Sequence, residues 1–168
     1  MIETTRLQMR ELTEADAPAL LALYRAPAIV RFMGPPPASL AEEVANIRTH
    51  RAQYYATRGY GLWGVVLRDT GSLVGRCGLL DATIDGQSEV ELSYLVDPAW
   101  HGQGLATEAT RAVLRFATDT LGLQRVVAVI QPSNVPSRRV AERVGMHYAG
   151  QTSYKTFGTV DLYVWQRI

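Results

Sequence analysis

Trp100-His101-Gly102-Gln103-Gly104-Leu105-Ala106-Thr107-Glu108-Ala109 sets two glycines between an apolar, alternating segment and an amphipathic one. Gly102 and Gly104 can take positive φ and leave room for a ligand to touch the backbone. A helix starting just after them offers unpaired amides and the positive end of its dipole to an anion. The stretch therefore reads either as a plain tight connection or as a phosphate-binding turn. Two other phosphate loops are excluded: no Gly-Lys-Ser/Thr follows, and the three-glycine dinucleotide pattern is absent.

Working outward, the segment from Glu89 to Val96 alternates as a strand does, with Val90, Leu92, Tyr94 and Val96 on one face and Glu91, Ser93 and Leu95 on the other. Downstream, Ala109, Ala112, Val113, Phe116 and Ala117 make an apolar stripe on a helix expected over 106–121, stopped by Gly122. Arg125–Ile130 is a continuous apolar run, as in a strand buried on both faces. Strand, helix and strand form a βαβ-like unit. Asn134 then stands at a helix N-cap, with Pro136 in the first turn and Gly145 at the stop.

Before the glycine turn, Leu7–Arg10 reads as a strand, and Thr13 with Asp16 as a cap for a helix over Ala17–Tyr24. Pro35-Pro36-Pro37 breaks the chain, and Ser39 caps a helix over 40–57. Tyr60–Arg68 and Leu73–Leu80 form a hairpin around Asp69-Thr70-Gly71-Ser72, and two last strands span Met146–Tyr154 and Thr159–Arg167. The expectation is one mixed α/β domain over 1–168, ordered β-α-α-β-β-β-α-β-α-β-β. Its central mixed sheet should have about six to seven strands, with about four helices.

The chain has 168 residues, 47% of them hydrophobic, enough for one core. Its net charge of +1 argues against a nucleic-acid or anionic-membrane partner. All but one of its 17 basic residues are arginines. A single cysteine, Cys77, and no signal-peptide pattern point to a cytoplasmic protein, and no apolar run is long enough to span a bilayer. Three isolated histidines and one cysteine give no metal-ligand spacing. Cys77 lies mid-strand without a nearby histidine, which favours a buried core residue over a covalent acetyl-cysteine route.

Three segments taken in order, the Glu91 strand, the loop from His101 to Ala106, and Asn134-Val135-Pro136-Ser137, resemble the GNAT superfamily of acyl-CoA-dependent N-acetyltransferases. The similarity is greatest to the branch containing the ribosomal-protein alanine N-acetyltransferases, and it covers nearly the whole chain. It implies a GNAT fold, acetyl-CoA as co-substrate, a primary amine as acceptor, direct transfer in a ternary complex, no metal, and a monomer or homodimer. His101 departs from the pattern, which usually has Gln or Arg there. A pyrophosphate held by backbone amides tolerates that change.

The resemblance implies that Leu95, Val96, His101, Gly102, Gln103, Gly104, Leu105, Ala106, Thr107, Asn134 and Ser137 bind the cofactor; Arg139, like Arg138, either reaches the CoA phosphates, and so joins the cofactor-binding set, or is a solvated arginine on a short helix. A backbone amide near Leu95, where the strand splays from its neighbour, would hold the oxyanion. The catalytic candidates are Glu91, Ser137 and Asn134. Acetyl transfer needs a group that takes the amine's proton, and Glu91 fits that need, acting directly or through water. Its alternatives are a solvated strand glutamate, or Glu89 on the same face. Many superfamily members place an acidic tyrosine seven residues after the asparagine, but Ala141 stands there, leaving Ser137 to protonate the sulfur or simply to bond locally in a first turn. Asn134 caps the helix and offers its amide to the pantetheine or the amine. Tyr94 and Trp100 read as packing. The competing class is a non-catalytic acyl-CoA sensor or interaction module on the same fold; a nucleotide-binding domain lacks its loops. The acceptor itself, whether a protein N-terminus, a polyamine, an amino acid or a drug, has no diagnostic residues.

Overall fold

A computed structural model describes residues 1–167. Among the described residues, eight strands form one sheet in the order β1-β2-β3-β4-β5-β6-β8-β7. They are β1 (Ile2–Glu3), β2 (Leu7–Arg10), β3 (Leu62–Leu67), β4 (Leu73–Ile84), β5 (Gln87–Val96), β6 (Arg125–Ile130), β7 (His147–Ser153) and β8 (Thr159–Gln166). Every neighbouring pair is antiparallel except β5 and β6, which are parallel. The mixed α/β class and the parallel unit agree with the sequence reading. The count is higher by the short β1.

Between β2 and β3 the chain forms α1 (Ala17–Tyr24), α2 (Pro27–Met33), α3 (Leu40–His50), a wide π turn over Arg51–Tyr55 and the single turn α4 (Ala56–Arg58). Helix α1 is introduced by Asp16, which is buried and clamped by both Arg10 Nη atoms at 2.8 Å. Ser39 accepts from the Glu42 amide at the start of α3. The sequence reading placed no element over α2, which starts at Pro27 and ends at Gly34 with φ 83°.

Two faces of the sheet are covered differently. On one, α5 (Leu105–Asp119) lays Leu105, Ala109, Val113 and Ala117, each no more than 2% exposed, against β4 and β5. Helix α6 (Val135–Arg143) packs beside it. On the other face, α1, α2 and α3 form a smaller core with Leu12, Leu20, Ile29, Ile47 and Leu95. The start of α5 is tied to the N-terminal strands: Glu108 accepts from Thr4 Oγ1 at 2.6 Å and pairs with Arg6 at 2.6 Å. No helix among the described residues is long and apolar enough to cross a membrane.

Candidate active site

Strand β5 is paired to β4 along its whole length, from Gln87↔Ile84 to Val96↔Gly75, yet meets β6 at the single pair Glu91↔Val127. Beyond Glu91 the two strands part. Alternate backbone groups of residues 92–96 therefore face a gap instead of a neighbouring strand. Asn134 and Ser137 at the start of α6, and the loop before α5, surround that gap as the lining of a cavity of about 540 Å³. A second cavity of about 260 Å³ shares Tyr94, Asn134 and Ser137 with the first and continues to Glu91.

The glycine loop has the geometry an anion site needs. Gly102 and Gly104 have φ of 78° and 79°, and a Cβ at Gly102 would meet no protein atom within 4 Å. Both glycines line the larger cavity with Leu105, Ala106 and Thr107 at the amide-rich start of the 15-residue α5. Gln103 is not among the lining residues; its carbonyl accepts from Arg6 Nη1 at 2.9 Å. His101, the irregular residue of the motif, donates from Nε2 to the Val96 carbonyl at 2.8 Å. Its ring ties the loop to the end of the open strand.

The two strand carboxylates have separate environments. Glu89 is bound by Arg125 Nε at 3.0 Å and lines neither cavity. Glu91 is 8% exposed, borders the smaller cavity, and accepts a hydrogen bond from Tyr154 Oη at 2.5 Å. Burial pushes the Glu91 carboxyl above its ordinary range, opposed by the Tyr154 bond and by the charges of Lys155 and Arg76.

Asn134 Oδ1 accepts from the Ser137 amide at 3.2 Å, so the cap of α6 is formed. Ser137 is half-buried, its carbonyl accepting from Tyr94 Oη at 2.7 Å, and it borders both cavities. Arg139 is exposed on the rim of the larger cavity, with Arg143 one turn on. Arg138 is engaged elsewhere, with Tyr163 Oη at 3.1 Å. Cys77 is buried, its thiol pushed up to about 12 by desolvation, 4.0 Å from Thr110 Oγ1. That environment suits packing and not nucleophilic attack.

Five of the lining residues that sequence reasoning missed bear on the chemistry of the site. Phe32 and Met33 come from α2, whose Pro27 start and Gly34 stop were the available signals. Arg76 interrupts the apolar run of β4. Tyr154 and Lys155 lie in the β7–β8 connection, where Lys155 has φ 47°. Nothing in one sequence marks that turn as part of a site.

A sheet opened between its two parallel strands, with a glycine turn at one end of the opening and a buried carboxylate at the other, is the arrangement expected of the acyl-CoA-dependent fold that the sequence resembles. Residues 6–147 match the acetyltransferase (GNAT) domain family, and the chain belongs to that family. It is 30% identical over 151 residues to an uncharacterized N-acetyltransferase of Bacillus subtilis, YoaA, covering 89% of this chain and 84% of that one. Among solved structures, an acetyltransferase from Agrobacterium tumefaciens superposes with a TM-score of 0.82 at 26% identity, covering 99% of this chain and 94% of the other. An aminoglycoside acetyltransferase solved in complex with coenzyme A superposes at 0.75 and 19% identity, covering 96% and 95%.

Proposed function

We propose that the protein transfers the acetyl group of acetyl-CoA directly to a primary amine, a protein N-terminus or a small molecule, with both substrates bound at once. The observation that carries this reading is the parting of β5 from β6, because it puts Glu91, Ser137 and the glycine loop around adjoining spaces. Acetyl-CoA fits as co-substrate. The open Cβ position at Gly102 and the positive φ of Gly102 and Gly104, with the α5 amides, suit a pyrophosphate, and the edge of β5 that β6 leaves open, over Leu95 and Val96, suits an extended pantetheine arm. His101 and Thr107 complete the rim of that site, and Arg139 offers a cation to the phosphates.

In the reaction, the amine nitrogen forms a bond to the thioester carbonyl carbon and the carbon–sulfur bond breaks. The amine's proton passes to Glu91, directly or through water, and the departing sulfur takes a proton from Ser137. Proton return from Glu91 to Ser137 through solvent restores both groups and leaves an amide and free CoA thiol. An unpaired β5 amide near Leu95 stabilises the oxyanion, and Asn134 orients the first turn of α6 that carries Ser137. Tyr154 is a positioning residue that holds the Glu91 carboxylate.

The test is thiol release from acetyl-CoA against a panel of amines and amine-bearing peptides. Release dependent on an amine, and lost in Glu91→Gln, supports the reading. Binding of acetyl-CoA with no release on any amine would favour a sensor instead.

A further inference from the structure

Arg76 has no part in the chemistry above, yet it sits where an acceptor must lie. On β4 it pairs in register with Leu95, as Leu80 pairs with Glu91, so Arg76 and Glu91 project from the same face of the sheet. Its guanidinium lies over the Tyr24 ring at 5.1 Å. Its Nε is buried and has no hydrogen-bond partner among the described residues. Two cavities meet at this side chain: the one that reaches Glu91, and another of about 290 Å³ beneath α3 and Pro35–Pro37.

The charged neighbours leave it free. Glu43, 3% exposed, accepts only a long bond from Asn46 at 3.4 Å, and Glu91 is taken by Tyr154. Both carboxyls feel the Arg76 charge, but neither forms an ion pair with it. His50, at the far side of the α3 cavity, accepts from the Leu62 amide and is held neutral, its pKa lowered to about 4 by burial. A buried donor without a partner is costly, and the planar arginine edge matches a carboxylate. The cavity around Glu91 also holds the chain's only lysine, Lys155, while Phe32, Met33, Leu80 and Phe157 supply apolar walls.

We propose that the acceptor is a small amine carrying its own carboxylate, of the apolar amino-acid type, with Arg76 holding the carboxylate while the amine faces Glu91. This rests on the acetyl-transfer reading. Two cations on the lining oppose a polycationic acceptor, and the apolar walls take a hydrocarbon side chain.

Thiol release from acetyl-CoA with the full chain compares leucine, methionine and phenylalanine with their carboxamides, with spermidine, and with a C-terminally amidated peptide. At least one free acid should exceed its amide in kcat/KM by about tenfold to a hundredfold, the loss expected for a charge-assisted bond. In Arg76→Gln that ratio should collapse to about one through a rise in acceptor KM, with partial recovery in Arg76→Lys. Equal rates for acids and amides, or a higher rate with spermidine or the amidated peptide, overturn the proposal. Calorimetric titration of the N-acetylated acids and amides into the CoA-loaded protein separates the two readings. Arg76-dependent binding of an acid without any turnover keeps the carboxylate subsite and removes the transferase. Acids that bind no better than amides remove the subsite, whatever the turnover.

Discussion

Tyr154→Phe isolates the hydrogen bond on which the state of Glu91 depends. The substitution keeps the ring, which is buried with Val160 and Val164, and deletes only the hydroxyl that donates to Glu91 Oε2. A hydrogen bond to a charged group is worth about 1.5–3 kcal/mol, and each 1.36 kcal/mol moves a titration by about one pH unit. The bond favours the carboxylate, so its loss makes Glu91 harder to ionise and adds to the effect of burial. If Glu91 is the base, activity rises with pH as it deprotonates. The acidic limb of the kcat/KM profile should then move to higher pH by about one to two pH units in the variant. The alkaline plateau should stay near the wild-type rate. Profiles measured by thiol release at saturating acetyl-CoA, with thermal melts to confirm the fold, make the comparison. A limb that stays put while the melts match would refute the assignment of that limb to Glu91. A limb that moves toward acid would refute the direction of the argument.

Glu91→Gln should lower kcat by about a hundredfold or more while leaving acetyl-CoA affinity unchanged, read by single turnover and calorimetry. The same variant carries a stability signature. Burial raises the folded-state pKa of Glu91, so its favourable contribution is present at low pH and lost as pH rises through that raised value. Glu91→Gln should therefore gain melting temperature relative to wild type on going from pH 4 to pH 8, and a constant difference would count against a buried, titrating carboxyl. Asn134→Ala removes the cap of α6 and should cost about 1 kcal/mol in denaturant unfolding. Ser137→Ala keeps the backbone amide that the cap uses and should slow the acetyl-transfer step with little change in stability, a wild-type single-turnover rate arguing for a local bonding role only. Gly104→Val forces a β-branched residue to φ 79° and fills the loop, with about 1–2 kcal/mol of strain expected from the backbone alone; coenzyme A binding that survives it would place the phosphates elsewhere.

The elements legible in the sequence were those with long, consistent periodicity. The α5 stripe, the doubly buried β6 and the β3–β4 hairpin stand where expected because each buries a face too large for any other arrangement. Helix α2 was not legible, since its seven residues give less than two full turns and only its ends, Pro27 and Gly34, carry a signal. Of the proposed site, the glycine loop and the Asn134 cap rest on local backbone chemistry, which a sequence states directly. The choice between Glu89 and Glu91 does not. Both lie on one strand face, and their difference is made by Arg125 on β6 and Tyr154 after β7, residues 36 and 63 positions away.

His101 shows how the open strand is held open. Where β5 leaves β6, its outward-facing carbonyls and amides lose the partners a sheet would give them, and a strand edge in that state tends to recruit another strand. The carbonyl of Val96, the last of the strand, is instead taken by the His101 ring, which lies at the start of the glycine loop. One side chain thus ends the exposed edge and fixes the position of Gly102 beside it. The backbone groups of Leu92 to Leu95 that face the gap remain for an extended ligand, which would pair as a short added strand before its phosphates reach the loop. In the acetyl-transfer reading proposed above, the His101 ring serves the strand end, and the amides that follow it are the groups left to take the anion.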